Sequence, residues 1–203
     1  METITIPTEA PLVHGPPQGK WTYSDWEMLP DDGNRYEIID GALYMTTAPS
    51  SFHQWIVRRL ERYVGIPAED QDLSYAFPAP IVVIMPGADP VQPDYVVVLR
   101  SNAHILREGR IKGVPNVLVE ILSPSNAAYD EHVKLPAYAL AGVPEYAIVD
   151  PSKRTLSHYR LEAAGRYAAP RVFGEADSMS FDCLPQIAIP VDKLFAGAPD
   201  PTL

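Results

Sequence analysis

Val117-Leu118-Val119-Glu120-Ile121-Leu122 is a branched, apolar run with one carboxylate inside it. Such a run reads as a strand buried on both faces, and so requires a sheet covered on both sides. An ionised carboxylate there costs several kcal/mol unless a cation or hydrogen-bond donors meet it. Glu120 therefore predicts a partner, and the fold must supply one.

Downstream, Ser123-Pro124-Ser125-Asn126 are turn and cap residues. A helix is expected over about 127–141, ended by Gly142 and Pro144 and kinked by Pro136 near Lys134. Tyr146-Ala147-Ile148-Val149 is a second buried strand, ended by Asp150-Pro151, so strand, helix and strand form a crossover unit. Thr155 to Leu161 and Arg166 to Val172 read as an antiparallel pair, and the tail holds the run Ile187-Ala188-Ile189 and a short helix.

Upstream, Pro93-Asp94 opens the strand Tyr95-Val96-Val97-Val98-Leu99. Prolines 78 and 80 mark the stretch from Leu73 to Met85 as an edge strand or bend. Phe52, Trp55, Ile56, Leu60, Tyr63 and Val64 recur at helical spacing, with Ser50 or Ser51 as cap and Gly65 closing the helix. Two β-prone runs flank Asp40-Gly41, a hairpin signal. Ser24 and Glu27 fit a capping box for a short helix. Residues 1–20 read as an extended or disordered arm, and residues 21–203 as one domain. The fold class is α/β or α+β: a central mixed sheet flanked by helices.

The chain has 203 residues and a formal net charge of −10. That charge argues against a protein that coats DNA, but not against an enzyme whose acids hold a metal. No run approaches a membrane span and no signal peptide is visible, so no membrane partner is expected. With Cys183 alone, no internal disulfide forms, and a cytoplasmic location is the simplest reading. Nothing resembles a nucleotide-binding glycine loop or a zinc-type Cys/His cluster.

Asp94 at the start of one strand and Glu120 within another converge if those strands are neighbours. Two such oxygen donors suit Mg²⁺, which is commonly held by one or two carboxylates plus substrate phosphate. The Ile121 carbonyl is a candidate third ligand, and Lys134 is the candidate cation to offset charge and orient water.

At these residues the chain resembles the Uma-type putative restriction endonuclease family of the PD-(D/E)XK nuclease superfamily. The resemblance is carried by Pro93-Asp94, Glu120-Ile121-Leu122-Ser123-Pro124-Ser125, Lys134-Leu135, Tyr138, Ala141-Gly142-Val143-Pro144-Glu145-Tyr146 and Val149-Asp150-Pro151. Tyr36-Glu37-Ile38-Ile39-Asp40-Gly41 and His53 also fit, so it spans about residues 24–170. It implies a restriction-endonuclease-like fold and cleavage of DNA that depends on Mg²⁺, with Mn²⁺ as a substitute. Carried over by position, Asp94 and Glu120 become metal ligands and Lys134 the catalytic lysine. Glu37 becomes an accessory acid, and His53, Ser123 and Asp130 support the ligands. One departure stands out: the superfamily's lysine falls two residues after the acid, where this chain has Leu122. Lys134 fits the variant in which the lysine has moved to the following helix.

Each residue also has a plainer reading. Asp94 suits a turn after Pro93. Glu120 suits a structural ion pair with Arg58 or Arg100. Lys134, on spacing alone, pairs with Asp130 four residues earlier. Glu37 suits an exposed edge, His53 a half-buried helix face, and Arg58, Arg59 and Arg62 a solvated face. Three functions follow: a metal-dependent DNA endonuclease, a catalytically silent nuclease-fold module that binds nucleic acid or protein, or a hydrolase of another phosphoester. Cutting both strands commonly takes two active sites, so the endonuclease reading carries a homodimer as its expectation.

Overall fold

The sheet predicted around Glu120 is present in the computed structural model, which describes residues 13–30, 34–46, 48–123 and 130–202. In chain order, α1 (Tyr23–Glu27) leads to the hairpin β1 (Arg35–Ile39) and β2 (Ala42–Thr46). Then come α2 (Ser51–Leu60), a π-helical turn (Glu61–Gly65) and α3 (Ile66–Asp70). β3 (Ser74–Pro78), β4 (Val83–Ile84) and β5 (Tyr95–Leu99) precede a 3₁₀ turn (Arg100–Ile105). β6 (Leu106–Arg107), β7 (Arg110–Lys112) and β8 (Val117–Ile121) follow, then a π-helical turn (Asp130–Lys134) and α4 (Leu135–Leu140). β9 (Glu145–Asp150), β10 (Thr155–Arg160), β11 (Arg171–Phe173), β12 (Ser178–Met179), β13 (Ile189–Pro190) and α5 (Val191–Phe195) complete the chain.

Among the described residues the central sheet runs β11-β10-β9-β8-β5-β3. Its pairings are antiparallel except β8 with β9, so the sheet is mixed as expected. β8 lies in the middle, which explains its apolar composition. Side chains alternate across it. Val117, Val119 and Ile121 join one core with α2 and α5, while Leu118 and Leu122 join the other with Tyr138, Val143 and Ile111. Glu120 shares the second face. β3 ends on Pro78 at the sheet edge, where a missing backbone donor costs nothing.

Several local expectations are corrected. The capping box of α1 uses Thr22 and Asp25, not Ser24 and Glu27, because the extended backbone at Thr22 already starts the helix there. Glu27 instead accepts from Tyr23 Oη at 2.6 Å. Gly65 does not end its helix; the backbone continues through the π-helical turn into α3. A side chain at Gly65 would run into the Tyr95 hydroxyl and the Glu61 carboxylate, which bond each other at 2.7 Å. Pro136 lies in the first turn of α4, directly after a π-helical turn that ends at Lys134, so the regular helix is interrupted there as expected. The polar, basic stretch from Ser101 to Pro115 contributes β6 and β7 to a small sheet with β4. Residues 1–12 of the expected arm lie outside the described residues, but its end is docked: the Gln18 amide exchanges hydrogen bonds with the Leu43 backbone at 2.9 and 2.6 Å.

Candidate active site

The antiparallel register of β5 with β8 pairs Tyr95 with Val119. Asp94 and Glu120 therefore stand across from each other, one residue beyond that pair, as the neighbouring-strand reading required. Asp94 precedes the strand, and its carboxylate acts as an extra rung of the ladder: Oδ2 accepts the Ile121 amide at 2.9 Å. His53 Nε2, in the first turn of α2, donates to the same oxygen at 3.0 Å, the tautomer that a carboxylate acceptor requires. Ser50 holds that turn by capping the His53 amide. Arg35 Nη1 bonds Asp94 Oδ1 at 3.1 Å. Burial alone would raise the Asp94 carboxyl; the His53 hydrogen bond and the positive charges of Arg35 and Lys134 outweigh it and hold the carboxyl below its usual range.

Glu120 is 1 % exposed. The cation it demanded is Lys134, whose Nζ lies 3.0 Å from Oε1, and neither Arg58 nor Arg100 is its partner. Tyr138 Oη donates to the same oxygen at 2.9 Å. Burial, then the charge of Glu120, push this hydroxyl well above the ordinary tyrosine range, so it serves as a neutral donor. Lys134 and Tyr138 are four residues apart, and the π-helical turn running into α4 brings both to Glu120.

Glu37 is buried, not an exposed edge acid. Its Oε2 lies 3.3 Å from Lys134 Nζ, and its Oε1 accepts the Gln92 amide at 2.7 Å. The hairpin is pinned there by two further bonds, from the Ile38 amide to the Pro90 carbonyl and from Gln92 Nε2 to the Tyr36 carbonyl. Alternation in β1 turns Tyr36 and Ile38 into a separate small core, leaving Arg35 and Glu37 for the sheet side.

The structure thus gathers Asp94, Glu120, Lys134, Glu37 and His53 into one buried cluster. Ser123 follows β8 and is half-buried. The Asp130 side chain, and Ser125 and Asn126 as caps, lie outside the described residues. Arg35 and Gln92 are members that sequence reading did not name, and Tyr138, quoted in the resemblance, carried no role there. The signals were the Arg35/Glu37 spacing of two on a strand and the Lys134/Tyr138 spacing of four on a helix. Arg58 and Arg62 remain on the exposed face of their helix, whereas Arg59 bonds the Ala196 carbonyl at 2.7 Å.

Among the described residues no group of three or more His, Cys, Asp or Glu side chains is arranged to hold a metal by itself. Two carboxylates from adjacent strands nevertheless match the donor set of a hard cation that keeps waters and takes its remaining ligands from substrate. A cleft of about 620 Å³, lined by Arg35 and Gln92 among others, opens beside the cluster.

The Uma2 family, described as "Putative restriction endonuclease", matches residues 22–192. No curated protein matches the chain. A crystal structure of a putative nuclease belonging to DUF820 from Anabaena variabilis is similar, with a TM-score of 0.73 and 21% identity over 86% of this chain and 97% of that one. At that identity the likeness speaks for a shared fold.

Proposed function

The chain belongs to the Uma2 putative restriction endonuclease family, and from that premise we propose that it is a divalent-metal-dependent endonuclease that hydrolyses phosphodiester bonds in DNA. The observation that carries this reading is the pairing of Asp94 and Glu120 across adjacent strands, with a buried lysine on the second. Asp94 and Glu120 hold Mg²⁺ or Mn²⁺, with the Ile121 carbonyl as a third ligand. The bound ion supplies Lewis acidity toward a phosphoryl oxygen and lowers the pKa of water.

The remaining roles belong to the chain's own side chains. Lys134 Nζ holds a fixed positive charge where negative charge develops in the transition state. Glu37 and Glu120 keep that ammonium in place from two sides. Tyr138 orients Glu120, and His53 orients Asp94. In this reading Lys134 takes the place of the lysine absent at position 122: Leu122 packs into the core, and Lys134 meets the acid from the helix.

Incubating the full chain with supercoiled plasmid DNA and Mg²⁺ or Mn²⁺ tests the proposal. Cleavage is expected, and it should vanish in both Asp94→Ala and Glu120→Ala; unchanged cleavage in either variant would overturn the assignment. One observation favours the second reading, a nuclease-fold module without catalysis: both Asp94 oxygens are already engaged by Arg35, His53 and the Ile121 amide. That reading predicts DNA binding with no cleavage under any divalent ion.

A further inference from the structure

Arg35 is the one described cation that touches both the carboxylate cluster and the cleft beside it. Its Nη1 donates to Asp94 Oδ1 at 3.1 Å, and its Nη2 donates to the Gln92 carbonyl. Its Nε is buried with no hydrogen-bond partner among the described residues. A buried donor left unpaired is uncommon and calls for an explanation such as an absent ligand. The side chain is 19% exposed against 7% for Asp94, so it forms the wall between the acid and the outside. Trp26, Asn34, Gln54 and Arg110 line the same cleft.

The charges of the cluster explain why an arginine stands there. Glu37, Asp94 and Glu120 face Arg35 and Lys134, which leaves an excess of negative charge when only these are counted. Burial works against the Arg35 charge, but Asp94, Glu37 and Glu120 together outweigh it. Arg35 thus neutralises the carboxylate that a divalent cation would also neutralise. Two cations competing for one carboxylate oppose each other's binding. A guanidinium fork that fits a carboxylate fits a phosphate equally well, and its planar donors make the exchange of one for the other simple.

We propose that Arg35 has two positions: on Asp94 while the metal is absent, and on a phosphate of the DNA strand in the cleft once a divalent cation has taken over Asp94. This rests on the reading of Asp94 and Glu120 as metal ligands. Arg35 then couples metal occupancy to substrate binding, because each releases the group that the other needs. The unpaired Nε gains a phosphate oxygen as its acceptor in the second position.

Two binding measurements on the full chain test this, and neither depends on turnover. The first is Mn²⁺ affinity, by electron paramagnetic resonance or calorimetry. Arg35→Ala should bind Mn²⁺ about tenfold more tightly than wild type, a change of one decade in Kd, and Arg35→Lys should fall between them. The second is the affinity for a short, phosphorothioate-protected labelled duplex, by fluorescence anisotropy with EDTA or with Mn²⁺. Wild type should gain affinity when Mn²⁺ is added, Arg35→Ala should lose that gain, and Arg35→Lys should restore part of it. Circular dichroism checks that each variant is folded, and the lysine variant keeps the test open if the alanine variant is not. Equal Mn²⁺ affinity in all three proteins, or a full Mn²⁺-dependent gain in both variants, overturns the proposal. Asp94→Asn separates the two levels of inference. If it leaves Mn²⁺ binding intact, the metal assignment itself has failed. If it abolishes Mn²⁺ binding while the Arg35 variants behave as wild type, only the role of Arg35 has failed.

Discussion

Two buried glutamates on neighbouring strands, Glu120 in β8 and Glu145 in β9, are met in different ways. Glu145 lies on the face shared with Ala147 and Val149, where His158 bonds Oε2 at 2.7 Å and Phe181 packs edge-on against that histidine. Backbone amides also donate to it, Asp182 to Oε2 at 2.7 Å and Cys183 to Oε1 at 2.8 Å. Glu120, on the opposite face, is met by the side chains of Lys134 and Tyr138 and lies in a cluster with Glu37, Asp94 and Arg35. Backbone amides cannot leave without unfolding the segment that carries them. Side-chain cations can exchange one anion for another by changing rotamer. Burial of a carboxylate therefore does not by itself set a site apart; what the donors are attached to decides whether they can be exchanged.

The largest expected effect is catalytic: Glu120→Gln should lower plasmid cleavage by roughly a thousandfold or more, in line with loss of a key electrostatic group. Glu145→Gln should leave the rate of the folded protein within about threefold, since it touches nothing in the cluster. Cleavage assays on both variants, normalised to folded protein, decide this, and an equal loss in both would erase the distinction.

Stability should run the other way. Glu145→Ala strips a buried histidine and two amides of their acceptor, at about 3 kcal/mol, or roughly 6–12 °C in melting temperature for a chain of this size. Glu120→Gln relieves some of the crowding among three carboxylates and should cost less than half of that. Thermal melts in EDTA measure the difference.

Metal should separate the two next. Mn²⁺ at about a hundred times its Kd should stabilise wild type and Glu145→Gln by about 2.7 kcal/mol, whereas Glu120→Gln should show little gain. Similar gains in all three would place the ion elsewhere.

The smallest effect is a pH dependence. Burial would raise the Glu145 carboxyl, but the His158 hydrogen bond and the amides of Cys183 and Asp182 lower it below its ordinary value. A carboxyl whose folded pKa is lowered contributes stability above the unfolded value, about 4.3 for glutamate. That contribution is lost as pH falls through the lowered folded value. Denaturant melts between neutral and acid pH should show a loss of stability in wild type that is smaller in Glu145→Gln. A wild-type acid limb unchanged by the substitution would remove Glu145 from the account.

Much of this site was legible in the residue pattern. Asp40-Gly41 between β-prone runs named the hairpin, and both residues take the positive φ that such a turn demands, 51° and 70°. The carboxylate in an apolar run announced a cation, and Pro93-Asp94 announced the second acid. Local pattern did not reveal the direction of Lys134, because that depends on how the π-helical turn before Pro136 runs into α4. Nor did it reveal Arg35, whose meaning comes from the loop at residues 90–92, more than fifty positions downstream.

From sequence alone, then, came the elements, the buried strand and the two acids it requires, because periodicity, turn chemistry and the cost of a buried charge are local properties. The tertiary structure decided which cations meet those acids and whether the donors can leave. Those choices depend on contacts between residues far apart in the chain, such as Lys134 with Glu37 and Arg35 with Asp94. Hydrogen-bond geometry inside a packed core selects among partners that spacing along the chain leaves equivalent.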